Sequence, residues 1–300
     1  MRVNPLYINT LVGSLDATSG TEQRLTEELA SGSRVNALSD DPVAAGENVL
    51  LSAQIAGDVT FSQTGASVQS RLQVSDSVLG TVVSQLTTAI SLATEANNGT
   101  LNASDLASIG NQLAGIRDEV LSLANTTYMG QFVFSGSQGN TTPFVLDPMA
   151  PSGVQYHGDD TPGSTSFLMT PNGQQIQLNL PGDQVFMASG SDVLGTLNRL
   201  VADFSSGTPS SSAQADTGAL STALSHVSQQ RVLIDNSLTR LSAALNYTQS
   251  ESTQLTANQT TLMQADVGQI ATQLSTAETQ QAALSQVIAT LGKQSLFDDL

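Results

Sequence analysis

The chain begins and ends in apolar residues spaced for long helices. Leu11, Leu15, Thr18, Glu22, Leu25 and Leu29 are separated by 4-3-4-3-4 residues. The same alternation runs through Leu72, Ser75, Leu79, Val82, Leu86, Ile90 and Ala93, and through Leu106, Ile109, Leu113, Ile116, Val120 and Leu123. Ile234, Leu238, Leu241 and Leu245 open a run that continues past Leu255 and Leu262. Another, from Ile270 through Leu274, Ala277, Gln281, Leu284, Ile288 and Leu291, nearly reaches the end. Spacing that alternates between three and four lays one apolar stripe along a helix and requires a partner helix. Over 72–123 the stripe reads as an ordinary bundle core.

Proline sharpens this division. Six of the nine prolines fall between Pro143 and Pro181, whereas Val43–Thr142 and Ser210–Leu300 contain none. Proline breaks helix interiors, so the flanks are free to form long helices and the middle is not. Asp41-Pro42 pairs a cap with a residue suited to the first helical turn. Asn97-Asn98-Gly99 stops that helix, and Ser104 is the expected cap of the next. Gly80 and Gly268 interrupt helical runs without a visible reason.

The middle alternates with a strand period. Gln131-Phe132-Val133-Phe134 leads into a Ser/Gly turn, and Thr165–Thr170 and Gln174–Leu180 flank Pro171-Asn172-Gly173. Asn-Gly between two alternating runs predicts a hairpin. Three layers follow: 1–41 with 257–300 as a terminal coiled coil, 42–130 with 191–256 as a helical rod, and 131–190 as a β-rich insertion.

Composition then narrows the chemistry. Nine Lys and Arg stand against 26 Asp and Glu, a formal net charge of −17, yet only 12% of residues are charged. Such a chain offers no basic surface to a phosphate backbone, which excludes nucleic-acid binding. The absence of Cys removes disulfides, thiolate zinc sites and cysteine nucleophiles. No apolar h-region marks the N-terminus and no apolar stretch reaches the ~20 residues of a membrane span, so no membrane role is expected. His157 and His226 lie in different regions, which argues against a two-His metal site. The Gly158–Thr165 turn lacks the Lys of a phosphate-binding loop and carries Asp159 and Asp160 instead. Glu27-Glu28, Asp40-Asp41 and Asp298-Asp299 are adjacent carboxylates that cannot face each other across a substrate, so caps and solvated faces are expected. No catalytic, cofactor or metal site is predicted, and no enzyme.

The terminal helices are short of charge. Between Asp266 and Gly292 only Asp266 and Glu278 are charged, and Thr, Gln, Ser and Ala fill the positions beside the stripe. Ser and Thr are mediocre helix formers. These helices should be marginal alone and gain stability when neighbouring copies cover them, because small uncharged side chains pack on several sides without burying charge.

Four segments carry a family resemblance. Glu28–Asn36 followed by Ser39–Ala45 (ELASGSRVN…SDDPVAA) resembles the N-terminal signature of bacterial flagellins and their relatives. Leu123–Gly136 (LANTTYMGQFVFSG) and Leu180–Phe186 (LPGDQVF) are similar to stretches in the hook–filament junction branch of that flagellin-like family. The ending, from Gln281-Ala282-Ala283-Leu284 to Ser295–Leu300, resembles its C-terminus. The resemblance implies a mainly α fold with a small β domain: a flagellin-like rod of long antiparallel helices, its terminal helices paired and a central β-rich domain inserted. It implies an extracellular flagellar adaptor, exported without a cleaved signal. Its partners would be other copies of itself in a ring, another hook-associated protein on the hook side, flagellin on the filament side, and an export chaperone. In such proteins the terminal helices line the tube and the β domain faces outward. Residue by residue, Leu11, Leu15, Leu25, Ile270, Leu274, Leu284 and Leu291 become the assembly seam, and Arg34, Asn36, Asp40 and Asp41 the connector between layers. A filament flagellin is the nearest alternative. A secreted binding module or enzyme carried on helical rods is a more distant one.

Overall fold

The computed structural model describes residues 5–150, 152–161 and 164–297. Three helices come first: α1 (Pro5–Ser31), α2 (Pro42–Asn97) and α3 (Ala103–Ala124). Six short strands follow: β1 (Thr127–Tyr128), β2 (Gln131–Phe132), β3 (Phe144–Leu146), β4 (Val154–Tyr156), β5 (Phe167–Met169) and β6 (Gln175–Gln177). The chain returns through α4 (Gly182–Phe186), α5 (Val193–Ser205), α6 (Ala213–Met263) and α7 (Val267–Phe297). They form two compact units, Met1–Gly57 with Ser250–Leu300, and Asp58–Gln249. The proline-free flanks supply α2 and α6, of 56 and 51 residues.

In the Asp58–Gln249 unit the heptad positions are the core. Leu72, Leu79, Val82, Leu86 and Ala93 of α2 are buried, as are Leu106, Ile109, Leu113, Ile116 and Val120 of α3. Helix α3 packs along α5, and Leu220, Val227, Ile234 and Leu241 of α6 join the same cluster. The stripe over 72–123 is thus a bundle core, each fully buried Leu contributing roughly 1.5–3 kcal/mol. Gly80 faces the Arg231 guanidinium, which bonds Asp76 at 2.6 Å; a Cβ there would make only an ordinary contact with it at 3.4 Å, so the ion pair does not itself require glycine.

Helix ends follow the local signals with one correction. Gly99 ends the α2 turn at φ +69°. The α3 cap is Asn102 and not Ser104: its Oδ1 accepts from the Asp105 N–H at 2.9 Å, and the helix begins at Ala103, leaving Ser104 inside the first turn.

The β region is three separate antiparallel hairpins, β1–β2, β3–β4 and β5–β6, and not one sheet. The Asn-Gly hairpin is present, pairing Phe167 with Gln177 and Met169 with Gln175 around Gly173. The Gln131–Phe134 alternation stops early. Only Gln131 and Phe132 form the strand, the Val133 N–H still donates to the Thr126 carbonyl at 3.0 Å, and Val133 and Phe134 are both buried in the core. Met129 and Gly130 both take positive φ, the two-residue turn matched to the strand twist.

That cluster holds the hairpins to the helices. Phe134 and Phe144 each meet Phe186 edge to face, with centroids 5.3 and 5.5 Å apart. The Tyr156 hydroxyl donates to the Phe134 carbonyl at 2.9 Å, and burial pushes its pKa up to about 12. Asn125, at the end of α3, behaves as a strand partner: its side chain donates to the Phe144 carbonyl at 2.8 Å and accepts from the Phe144 N–H at 2.9 Å. Gly182 lies where no Cβ fits, 2.7 Å from the Phe144 ring and 2.8 Å from the Phe134 carbonyl. Gly182→Ala should therefore destabilise this unit by about 1–3 kcal/mol through overpacking. Urea unfolding followed by circular dichroism reads it, and an unchanged midpoint would refute the packing assignment.

Candidate functional site: the terminal helix pair and its connector

Helices α1 and α7 pair within the Met1–Gly57 and Ser250–Leu300 unit. Leu25 and Ile270 are buried together with Ala265, and Leu274 packs against them. Away from that point Leu11 and Leu15 on α1, and Leu284 and Leu291 on α7, are only half-buried. Most stripe positions are thus turned at least partly away from solvent, Leu29 excepted, and the cover over them is incomplete. Thr18, Glu22 and Gln281 occupy stripe positions too, and the Glu22 Oε1 atom is buried with no hydrogen-bond partner among the described residues. Leu29, the last position of the α1 stripe, is exposed, as are Tyr7, Val12, Val267 and Val287 outside the stripes.

The connector is built from backbone. Helix α1 ends at Ser31, and Gly32 takes φ +66°, a conformation a side chain resists. The turned chain then lies against the α6–α7 link. The Ala265 N–H donates to the Gly32 carbonyl at 3.0 Å and the Arg34 N–H to the Met263 carbonyl at 2.7 Å, around a bridge between Ser33 and Gln264. Val35 and Ala44 are buried beneath.

The four connector residues come together on this frame. Arg34 bonds Asp41 at 2.9 Å and the Leu262 carbonyl at 3.2 Å. Asp41 caps α2 by accepting from the N–H groups of Val43 and Ala44, as the Asp-Pro pair predicts. Asp40 closes the preceding turn, its Oδ2 accepting from Ala37 at 2.8 Å and Asn36 at 3.0 Å. Asn36 donates from its amide to the Ser33 carbonyl at 3.2 Å. These backbone donors hold Asp40 below the ordinary carboxylate pKa, Ala37 most strongly. Asp41 is held down first by Ala44 and then by Arg34. Arg34 also edges an open groove of about 700 Å³ lined by Leu50, Leu51 and Leu262, and nearby Leu38, Val43 and Val49 are strongly exposed.

Sequence reasoning missed the other half of the joint. Asp266 caps α7 through the Gln269 N–H at 3.0 Å. An Asp just ahead of a helical run was the readable signal. Glu28, expected on a solvated face, is buried and bonded to Arg24 at 2.7 Å, one turn earlier on α1. In the turn after β4, Asp159 accepts from Ser137 and Thr161, which makes it a turn lock.

Residues 7–139 match the family model described as the bacterial flagellin N-terminal helical region. That match covers less than half of the chain. Flagellar hook-associated protein 3 of Salmonella typhimurium is 33% identical over 180 residues, 56% of this chain and 54% of that protein. Flagellin 1 of Proteus mirabilis is 28% identical over 140 residues, 45% of this chain and 38% of that protein. The chain thus spans about half the length of the hook-associated relatives it matches. The crystal structure of flagellar hook associated protein-3 from Legionella pneumophila shares the fold at a TM-score of 0.62 and 15% identity, over 71% of this chain and 98% of that one.

The depressed carboxylates set a pH dependence. A folded pKa below the unfolded value near 3.8 gives stability that is present above that value and fades as pH falls through the lower folded value. Hydrogen exchange should show the Ala37 and Ala44 amides protected at pH 5 and losing protection below about pH 4, and Asp41→Asn, which cannot titrate, should make the protection of Ala44 independent of pH over that range. Protection factors that do not change between the two pH values in the unsubstituted protein would contradict the capping assignment.

Proposed function

We propose that this chain is a structural adaptor of the bacterial flagellum, joining hook to filament by packing its terminal helices with those of neighbouring copies. The incomplete cover of the α1–α7 stripe carries the reading: a helix pair with half-buried Leu11, Leu15, Leu284 and Leu291 and hardly any charge on α7 leaves apolar surface for more helices. Similarity to hook-associated protein 3 over both the matched sequence and the fold supports the junction in preference to the filament. The adaptor acts outside the cell, reaches its place through the flagellar export route without a cleaved signal, and carries out no catalysis. Its partners are other copies in a ring, a hook-associated protein on one side, flagellin on the other, and an export chaperone before secretion.

In this reading Leu11, Leu15, Leu25, Ile270, Leu274, Leu284 and Leu291 form the axial packing surface, and Arg34, Asn36, Asp40 and Asp41 fix the joint between the terminal layer and the helices outside it. The layers are 1–41 with 257–300, 42–130 with 191–256, and 131–190. The likeness to a flagellin over 140 residues keeps one second reading in view, a short filament flagellin.

Deleting the gene should leave hooks intact and release unassembled flagellin into the medium, seen by electron microscopy and by blotting the culture fluid. Full-length filaments in the deletion strain would overturn the adaptor reading, and long filaments grown from the purified protein alone would favour flagellin. Leu284→Asp should abolish filament attachment while the melting temperature of the Asp58–Gln249 unit stays unchanged. Normal motility with that substitution would remove Leu284 from the packing surface.

A further inference from the structure

In a chain of net charge −17, positive groups without a partner stand out. Among the arginines with described side chains, Arg24, Arg34, Arg117, Arg199 and Arg231 each bond a carboxylate. Arg71 and Arg240 bond none among the described residues. Arg71, on α2, reaches only the Val133 carbonyl, at 3.4 Å. Arg240, on α6, donates to the Gln175 carbonyl at 2.8 Å. A guanidinium has five donors, so most of each group's capacity is unused. Arg71 is also half-buried, and that burial alone pushes its pKa down, with no neighbouring charge offsetting it.

The two groups share one place in the fold. Arg231 on Asp76, and Leu241 and Leu245 over Gly65, fix the antiparallel register of α2 and α6. That register sets Arg71 and Arg240 within about one helical turn of each other along the pair. Each donates to a carbonyl of the β region, Arg71 to the residue after β2 and Arg240 to β6. Gln175 pairs with Met169, and Met169 and Phe167 share the outward face of the hairpin, both more than half exposed, opposite the buried Ile176. An aromatic and a flexible thioether beside an unpaired Arg is the composition of an interface centre.

We propose that Arg71 and Arg240, with Phe167 and Met169 on the outward face of the β5–β6 hairpin, form a docking surface for carboxylates of a second copy of this chain. Charge complementarity argues for that occupant. A second copy brings an excess of acids, and the Asp58–Gln249 unit exposes several without a cation among the described residues, including Glu95, Glu119 and Asp160. The adaptor reading places this contact head-to-tail, the kind that closes a ring. This rests on the adaptor reading above and adds a lateral contact to it.

The sequence contains a single Lys, Lys293, so Arg240→Lys places one new amine at the surface. Flagella isolated from bacteria carrying Arg240→Lys, treated with a carbodiimide, should yield an amide between position 240 of one copy and an Asp or Glu of another. Mixed isotope labelling with mass spectrometry distinguishes this from a link within one copy. Arg71→Lys serves as a second attachment point. Replacing both arginines by Gln keeps a donor for each carbonyl but removes the charge. It should leave the melting curve in place and weaken association of the purified protein roughly tenfold. Links found only within one copy, links to a different protein, or unchanged association of the Gln variant would each overturn the proposal. Absence of the protein from isolated flagella would instead overturn the adaptor reading, and the docking surface with it.

Discussion

Two backbone hydrogen bonds set the terms for the terminal helices: Arg34 N–H to the Met263 carbonyl, and Ala265 N–H to the Gly32 carbonyl. They join the link after α1 to the link before α7, so both helices leave from one point. The first side-chain contact beyond it is Leu25 on Ile270, and every later level of the antiparallel pair follows from that register. Helices of 27 and 31 residues rich in Ser and Thr have weak propensity to draw on. Their pairing depends on being started correctly. Gly32 is the residue that permits it, because the turn needs a positive φ, and Asp41 and Asp266 then cap the two helices that leave the joint.

How much of this was legible follows from what carries each feature. Side-chain periodicity carries the helices, and Leu79, Val82, Leu86, Leu113 and Val120 are fully buried where the heptads put them. Proline and Asn-Gly placement carries the β region's position and its last hairpin. Its division into three hairpins was not legible, because a two-residue strand leaves too short an alternation to read. The clasp between Ser33 and Gln264 was invisible for a different reason. It is made by peptide groups that every residue possesses, and Gln264 has no side-chain signature. The connector residues were found through their resemblance to a family motif, and their individual tasks became plain only with the hydrogen bonds.

The acidic character acquires a structural sense as well. Asp41, Asp192 and Asp266 cap helices through the N–H groups of Ala44, Gly195 and Gln269, and Asp40 and Asp159 lock turns. These caps place carboxylates at helix starts, where the dipole favours them, while others such as Glu47, Asp58, Asp118 and Glu119 lie within helices. Helix α7 carries a single acid, Glu278.

Neutrality alone would not keep the α1–α7 pair open to neighbours. A stripe filled with Leu and Ile throughout would make the two helices self-sufficient, and burial would be complete within one copy. Thr18 and Glu22 on α1 and Ala277 and Gln281 on α7 prevent that, since they occupy stripe positions yet contribute little apolar area. The buried, unpartnered Glu22 Oε1 adds a cost of the order of 1–3 kcal/mol. Weakness in the middle of the stripe is thus compatible with the clasp at one end. The clasp fixes register, and beyond it the stripe lacks full apolar cover within one copy.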